Sequence, residues 1–180
     1  AQSTDQFVLI EDGNPVPAQF SIRSTWYPNP PSLELRRTSQ QIKWLGLDFL
    51  ARYEKGTPRK YHLKVLKEGK TQNFSKDSPI ITFTEDDDFI AVDTGKIRFK
   101  VNRKKFTGIE EASLDGQPFI RGGGPFLVDE KGDLFEAAQD PNPSVTVEEG
   151  GPVRVTIYAT GWYVSAKTKE KLCIFKTRIS

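Results

Sequence analysis

The chain has 180 residues, 36% of them hydrophobic and 28% charged, a balance that provides for a buried core and excludes general disorder. Its 26 Lys and Arg against 24 Asp and Glu leave a net charge of +2, too small a surplus for the basic footprint of a nucleic-acid binder, and no apolar run approaches the roughly 20 residues of a membrane helix. One cysteine, Cys173, and one histidine, His62, exclude an internal disulfide and most metal clusters and nucleophile–base pairs, so no catalytic residue, metal site or cofactor is expected.

Fourteen Gly and 12 Pro fall between short apolar segments, the punctuation of an all-β chain. In chain order the predicted strands are FVLI (7–10), AQFSIR (18–23), the run QIKWLGLDFLARY (41–53), KYHLKVL (60–66), IITFT (80–84), FIAVD (89–93) and KIRFKV (96–101). Segments 110–114, 126–128, 144–148, 152–160 and 170–179 follow. KIRFKV sets Ile97, Phe99 and Val101 against Lys96, Arg98 and Lys100, the period of two of a strand with one buried face. Val153, Val155, Ile157 and Ala159 repeat the pattern, as do Cys173, Phe175, Thr177 and Ile179.

The run QIKWLGLDFLARY can be written on a helix or a strand. As a helix it would place Gly46 in the interior, at a cost of about 1 kcal/mol against Ala. As a strand it gathers Leu45, Leu47, Phe49, Ala51 and Tyr53 on one side, and the strand is preferred. EKGTPR then turns the chain, so residues 42–67 read as one long hairpin whose apolar face lies at the centre of a barrel. Asp48, alone among apolar neighbours, is expected to be hydrogen-bonded at a turn or strand end and not catalytic. The expected fold is all-β: a single antiparallel β-barrel or sandwich-like domain over residues 1–180, with little or no helix and at most a weak subdivision near 85–95.

Two turns look alike, EDGNPV (11–16) and LDGQPF (114–119). Each offers an Asp-Gly pair tolerant of positive φ before a Pro that starts an extended segment. Similarity stops there, which favours two independent turns over an internal duplication. The acidic run TEDDD, with Glu85 to Asp88, lacks the spacing of a calcium loop and reads as a hydrated turn. Gly122, Gly123 and Gly124 lack the following helix start and Lys of a phosphate cradle and read as a flexible turn. His62 lies between Lys60 and Lys64 in a solvent-facing register, and the basic clusters Arg36, Arg37 and Arg103, Lys104, Lys105 read as solvated surface. The aromatic pairs Trp26, Tyr27 and Trp162, Tyr163 sit beside turns, where flat rings either stack on sugars or pack in the ordinary way.

Five segments in order, EDGNPVPAQF (11–20), IKWLGLDFLARY (42–53), VDTGKIRFKVNRKKF (92–106), SLDGQPF (113–119) and PVRVTIYATG (152–161), together resemble the N-terminal β-barrel domain, a RIFT-type barrel, of the bacterial exo-rhamnogalacturonan lyase and YetA-like family. RRTSQQ before Trp44 departs from the family's Asp-Gly-Ser-type turn. The resemblance implies a non-catalytic module beside a polysaccharide lyase catalytic domain, itself a helical toroid, in an extracellular or periplasmic protein. No toroid fits in 180 residues, and LCIFKTRIS stops in mid-alternation, so the chain is expected to be an N-terminal piece of a larger protein. The partners implied are that catalytic domain and an acidic polysaccharide. Trp26, Tyr27, Trp162 and Tyr163 would stack on the glycan while Arg121 paired with a uronate carboxylate. The rival readings are an interaction or assembly scaffold of a cell-surface or virion structural protein, and a self-sufficient lyase using Tyr53, Tyr61 or Lys64 as base, whose spacing does not make them converge.

Overall fold

The computed structural model describes residues 3–26, 41–51, 53–67 and 81–180. Tyr27, the PNPP segment, Arg36, Arg37, Arg52 and Ile80 lie outside the described residues. The described elements are strands and two 3-10 turns at Thr4–Gln6 and Ala137–Gln139, so the all-β expectation holds, and every strand pairing is antiparallel. The chain forms two compact units, Ala1–Ser78 and Pro79–Ser180.

The first unit contains β1 (Phe7–Glu11), β2 (Asn14–Pro15), β3 (Ala18–Thr25), β4 (Ile42–Phe49) and β5 (Tyr61–Val65). β1 is the middle strand of a sheet with β2 and β5, while β3 and β4 form a separate ribbon. Within QIKWLGLDFLARY the strand expectation holds for Ile42–Phe49 and not for Leu50, Ala51 or Tyr53, and the hairpin expected over 42–67 does not form. β4 pairs instead with β3, Ala18 opposite Phe49 and Ile22 opposite Leu45, and β5 pairs with β1. A polar clasp fixes β5 there: the Tyr61 hydroxyl donates to Glu11 Oε1 at 2.9 Å, and Arg59 pairs with the same oxygen at 3.1 Å.

The apolar face of β4 is also not a barrel centre. Among the described residues, ring contacts cover the ribbon at one end, where Phe20 meets Phe7 (5.6 Å between rings) and Phe49 meets Tyr61 (4.9 Å). Leu47, Trp44 and Leu50 are exposed, and Tyr53 is 88% exposed. A two-stranded ribbon shields little of its own surface, so along β4 the hydrophobic period persists with less burial than it usually signals. Asp48 lies in register with Gln19 and is partly buried.

The second unit begins with a five-stranded meander: β6 (Thr82–Glu85), β7 (Phe89–Asp93), β8 (Ile97–Asn102), β9 (Glu111–Leu114) and β10 (Gln117–Arg121). β11 (Phe126–Val128), β12 (Leu134–Glu136), β13 (Ser144–Gly150), β14 (Val155–Ser165) and β15 (Lys171–Ile179) make the second sheet, in which β14 pairs with β12, β13 and β15. The two sheets face each other across one core, to which the meander contributes Ile90, Val92 and Val101 and the second sheet Val145, Val155, Ile157, Ala159 and Phe175. Ile157 and Ala159 sit on the inward register that the alternation predicts. The edges approach at β6, where Ile81 N donates to Pro152 O at 2.9 Å and the Phe83 ring lies over Gly150.

Both Asp-Gly turns close two-residue hairpins. Asp12 and Gly13 have φ of 46° and 90°, Asp115 and Gly116 48° and 80°, the paired positive values of a type I′ turn, whose twist matches that of the flanking strands.

Candidate functional site

Successive side chains of a strand point to opposite faces, so the register of the meander decides what its outer face displays. Phe83, Val92, Phe99, Ala112 and Ile120 form one row across all five strands, directed toward the core. The rows on either side project outward: Thr82, Asp93, Arg98, Ser113 and Pro118 on one, Thr84, Ala91, Lys100, Glu111 and Arg121 on the other. Between them runs a trough of about 820 Å³ whose lining comes entirely from this sheet and the residues flanking β9 and β10. It crosses four inter-strand spacings, about 19 Å in all.

Four charges in the trough are matched across strands. Arg98 Nε donates to Asp93 Oδ2 at 2.7 Å, and Lys100 Nζ pairs with Glu111 Oε1 at 3.1 Å, each from directly opposite positions, where oppositely charged pairs stabilise a sheet by a few tenths of a kcal/mol. Arg121, on the edge strand β10, is exposed and has no side-chain hydrogen bond or ion pair among the described residues. Glu110 lines the same end and buries its Oε2 without a hydrogen-bond partner, so the lining carries three acidic and three basic side chains. Its β6 end is small and neutral, with Thr82 and Thr84, while Ala91 and Ser113 stand beside the charged pairs of its middle strands. Such a surface offers hydroxyl and backbone groups along an extended ligand and a forked donor beside carboxylates at one end.

The other candidate residues lie elsewhere. Trp26 follows β3 in the first unit, half exposed beneath Lys43 Nζ at 4.8 Å, and Tyr27 is outside the described residues. Trp162 and Tyr163 are neighbours on β14 but do not form one platform. Trp162 is partly buried with Lys171 Nζ 5.2 Å above its ring, whereas Tyr163 packs edge-on against Phe175 of the core at 5.6 Å. Within the second unit, neither Trp162 nor Tyr163 lines the Arg121 trough. His62 is exposed on β5, and Cys173 is exposed on β15 although its register is inward.

The acidic run is the β6–β7 turn. Asp86 Oδ1 accepts from the amides of Asp88 and Phe89, both at 2.8 Å. The run faces the basic cluster that follows β8: Arg103 donates to Asp86 O, and Lys104 pairs with Asp88 at 2.5 Å. Two charge runs read separately as solvated surface therefore neutralise each other. Among the described residues no three His, Cys, Asp or Glu side chains are placed to hold a metal ion. Gly122, Gly123 and Gly124 carry the chain out of β10 with φ of 69°, 117° and 159°, and Gly124 packs on Thr107, 3.3 Å from where its Cβ would stand.

Backbone amides hold two carboxyls below their usual range. For Asp86 the Phe89 and Asp88 N–H groups act first, with Arg103 and Lys104 adding to them; for Asp93 the Gly95 N–H acts first, then Arg98. A depressed folded-state value contributes stability above the unfolded carboxylate value of about 3.9, and that contribution is lost as pH falls through the lower folded value. The thermal midpoint is expected to drop below about pH 4. The Asp86→Asn variant, which keeps an amide acceptor but no charge, should lose less between pH 6 and pH 3 than wild type. Parallel curves for the two proteins would contradict this role for Asp86.

Alternation had already placed Arg98 and Lys100 on a wet face. What single-strand reading misses is that the wet positions of five consecutive strands line up in register, which depends on connections of three, three, eight and two residues and on the bulge between Pro118 and Ile120. No family model, curated protein or solved structure matches the chain.

Proposed function

We propose that the chain is a non-catalytic β module of a bacterial carbohydrate-active protein, flanking a polysaccharide lyase catalytic domain, and that it holds saccharide in the outer trough of the β6–β10 sheet. The resemblance of five sequence segments supports the neighbouring lyase. The trough itself supports the binding role: an edge-to-edge channel with a floor of backbone and small side chains, bounded by paired charges, suits an extended polyhydroxylated chain. Trp26 and Trp162 have roles in packing on this reading, since each ring is already covered by a lysine.

Ala91 stands mid-trough on the central rows. The Ala91→Trp variant should fold, because the side chain projects away from the core, and it should fill the channel. In isothermal titration against a panel of plant and microbial oligosaccharides, a saccharide bound by wild type is expected to bind this variant at least about tenfold more weakly, a loss of about 1.4 kcal/mol. Undiminished binding, or no binding of any panel member by wild type, would overturn the proposal.

A further inference from the structure

The balanced charge of the trough narrows the class of saccharide, and the following rests on the saccharide reading above. We infer that the trough selects a neutral glycan segment over a uronate-bearing one, its hydroxyls bridging the charged pairs while the carboxylates beside Arg121 turn anions away. This departs from the acidic polysaccharide that the sequence resemblance implies.

Arg98, Lys100 and Arg121 share the lining with Asp93, Glu110 and Glu111, so a charged ligand meets no net counter-charge. Arg98 and Lys100 are engaged by Asp93 and Glu111, and freeing either cation would leave a carboxylate uncompensated. Arg121 is where an anion would otherwise seat, but Glu111 stands directly opposite it on β9, and Lys100 directly opposite Glu111 on β8. The three make one row of alternating sign across neighbouring strands. Glu110 precedes Glu111, and its Oε2 is shut off from solvent without a hydrogen-bond partner, so water screens its charge less than that of an exposed carboxylate. An anionic group over β10 would therefore gain one cation and face two carboxylates, and like charges brought together cost affinity. A hydroxyl meets no such conflict. It both donates and accepts, so it can accept from Arg or Lys and donate to the opposed carboxylate without separating the pair. Arg98 spends its Nε on Asp93, and Lys100 makes one bond to Glu111 Oε1, which leaves guanidinium and ammonium N–H groups for sugar oxygens. Thr82 and Thr84 continue the uncharged polar surface at the β6 end.

The experiment uses the full 180-residue chain and each panel tetrasaccharide in three matched forms: all neutral, uronic acid at one terminal ring, and uronic acid at every ring. Titration of wild type at low ionic strength is expected to rank the neutral form at least about threefold above the singly acidic one and at least about tenfold above the fully acidic one, the scale of one and of several unfavourable charge contacts near a surface. Added salt should narrow both gaps and leave the neutral affinity unchanged. Glu110→Gln should bring the singly acidic form level with the neutral one or above it, a gain that misfolding would not produce, and Arg121→Gln should widen the wild-type gap. Equal or tighter binding of either acidic form by wild type, or a gap that neither variant alters, would overturn this inference and leave the saccharide reading standing. Failure of every form of every panel member to bind would remove both.

Discussion

Gly161→Ala is expected to destabilise the second unit by about 2–4 kcal/mol, combining overpacking of a closed core with disturbance of a buried carboxylate. Gly161 lies on β14 opposite Phe175. A Cβ there would stand 2.5 Å from Asp140 Oδ2 and 2.8 and 2.9 Å from two ring carbons of Phe175. Neither neighbour can move cheaply. Asp140 is 5% exposed and accepts from the amides of Trp162 at 2.7 Å and Asn142 at 3.1 Å, holding the 140–142 loop to β14. Phe175 is 3% exposed and stacks on Phe106 at 5.1 Å. The backbone conformation is ordinary, so the requirement for glycine is one of space. Urea unfolding of wild type and variant measures the difference, and a change under about 0.5 kcal/mol, the usual range of a surface substitution, would contradict this packing.

Phe106→Ala should cost about 3–5 kcal/mol, the range for emptying a fully buried aromatic position. Phe106 lies between β8 and β9, yet its ring is fully buried against Phe175, within the cluster that joins the two sheets. The matched control is Trp44→Ala on β4, where the indole is 65% exposed and the expected cost is under about 1 kcal/mol. Chemical denaturation of both variants tests the ordering. A larger loss at Trp44 than at Phe106 would contradict the exposed placement of Trp44 and the central place of Phe106 in the core.

Those two sites mark where sequence reading succeeded and where it stopped. Alternation placed Ile157 and Ala159 correctly because β14 is covered along its length, whereas the same alternation in β4 misled because a ribbon strand can keep an apolar face that little covers. Pairing is a further step beyond strand identity. β5 was read as the hairpin partner of β4 from proximity in sequence, but Glu11 claims Arg59 and Tyr61, residues some 50 positions away, and no local pattern announces that. Phe106 was missed because it sits among Lys and Gly residues in a segment without period. The Asp-Gly turns were legible because their conformation is set within four residues.

The candidate site divides in the same way. Arg121 came with the resemblance and lines the trough, while Trp162 and Tyr163 do not form one platform because adjacent residues on a strand face opposite ways. Asp93, Arg98, Lys100 and Glu111 could be assembled only once register was known.

The central claim is that the outer face of the β6–β10 sheet is the binding surface. Backbone amide shift mapping by NMR during titration with the panel saccharide that wild type binds tests it most directly. Perturbations should concentrate on Thr84, Ala91, Lys100, Glu111 and Arg121, strongest at Arg121; shifts centred instead on Trp162 and Lys171, or on Trp26 and Lys43, would contradict it.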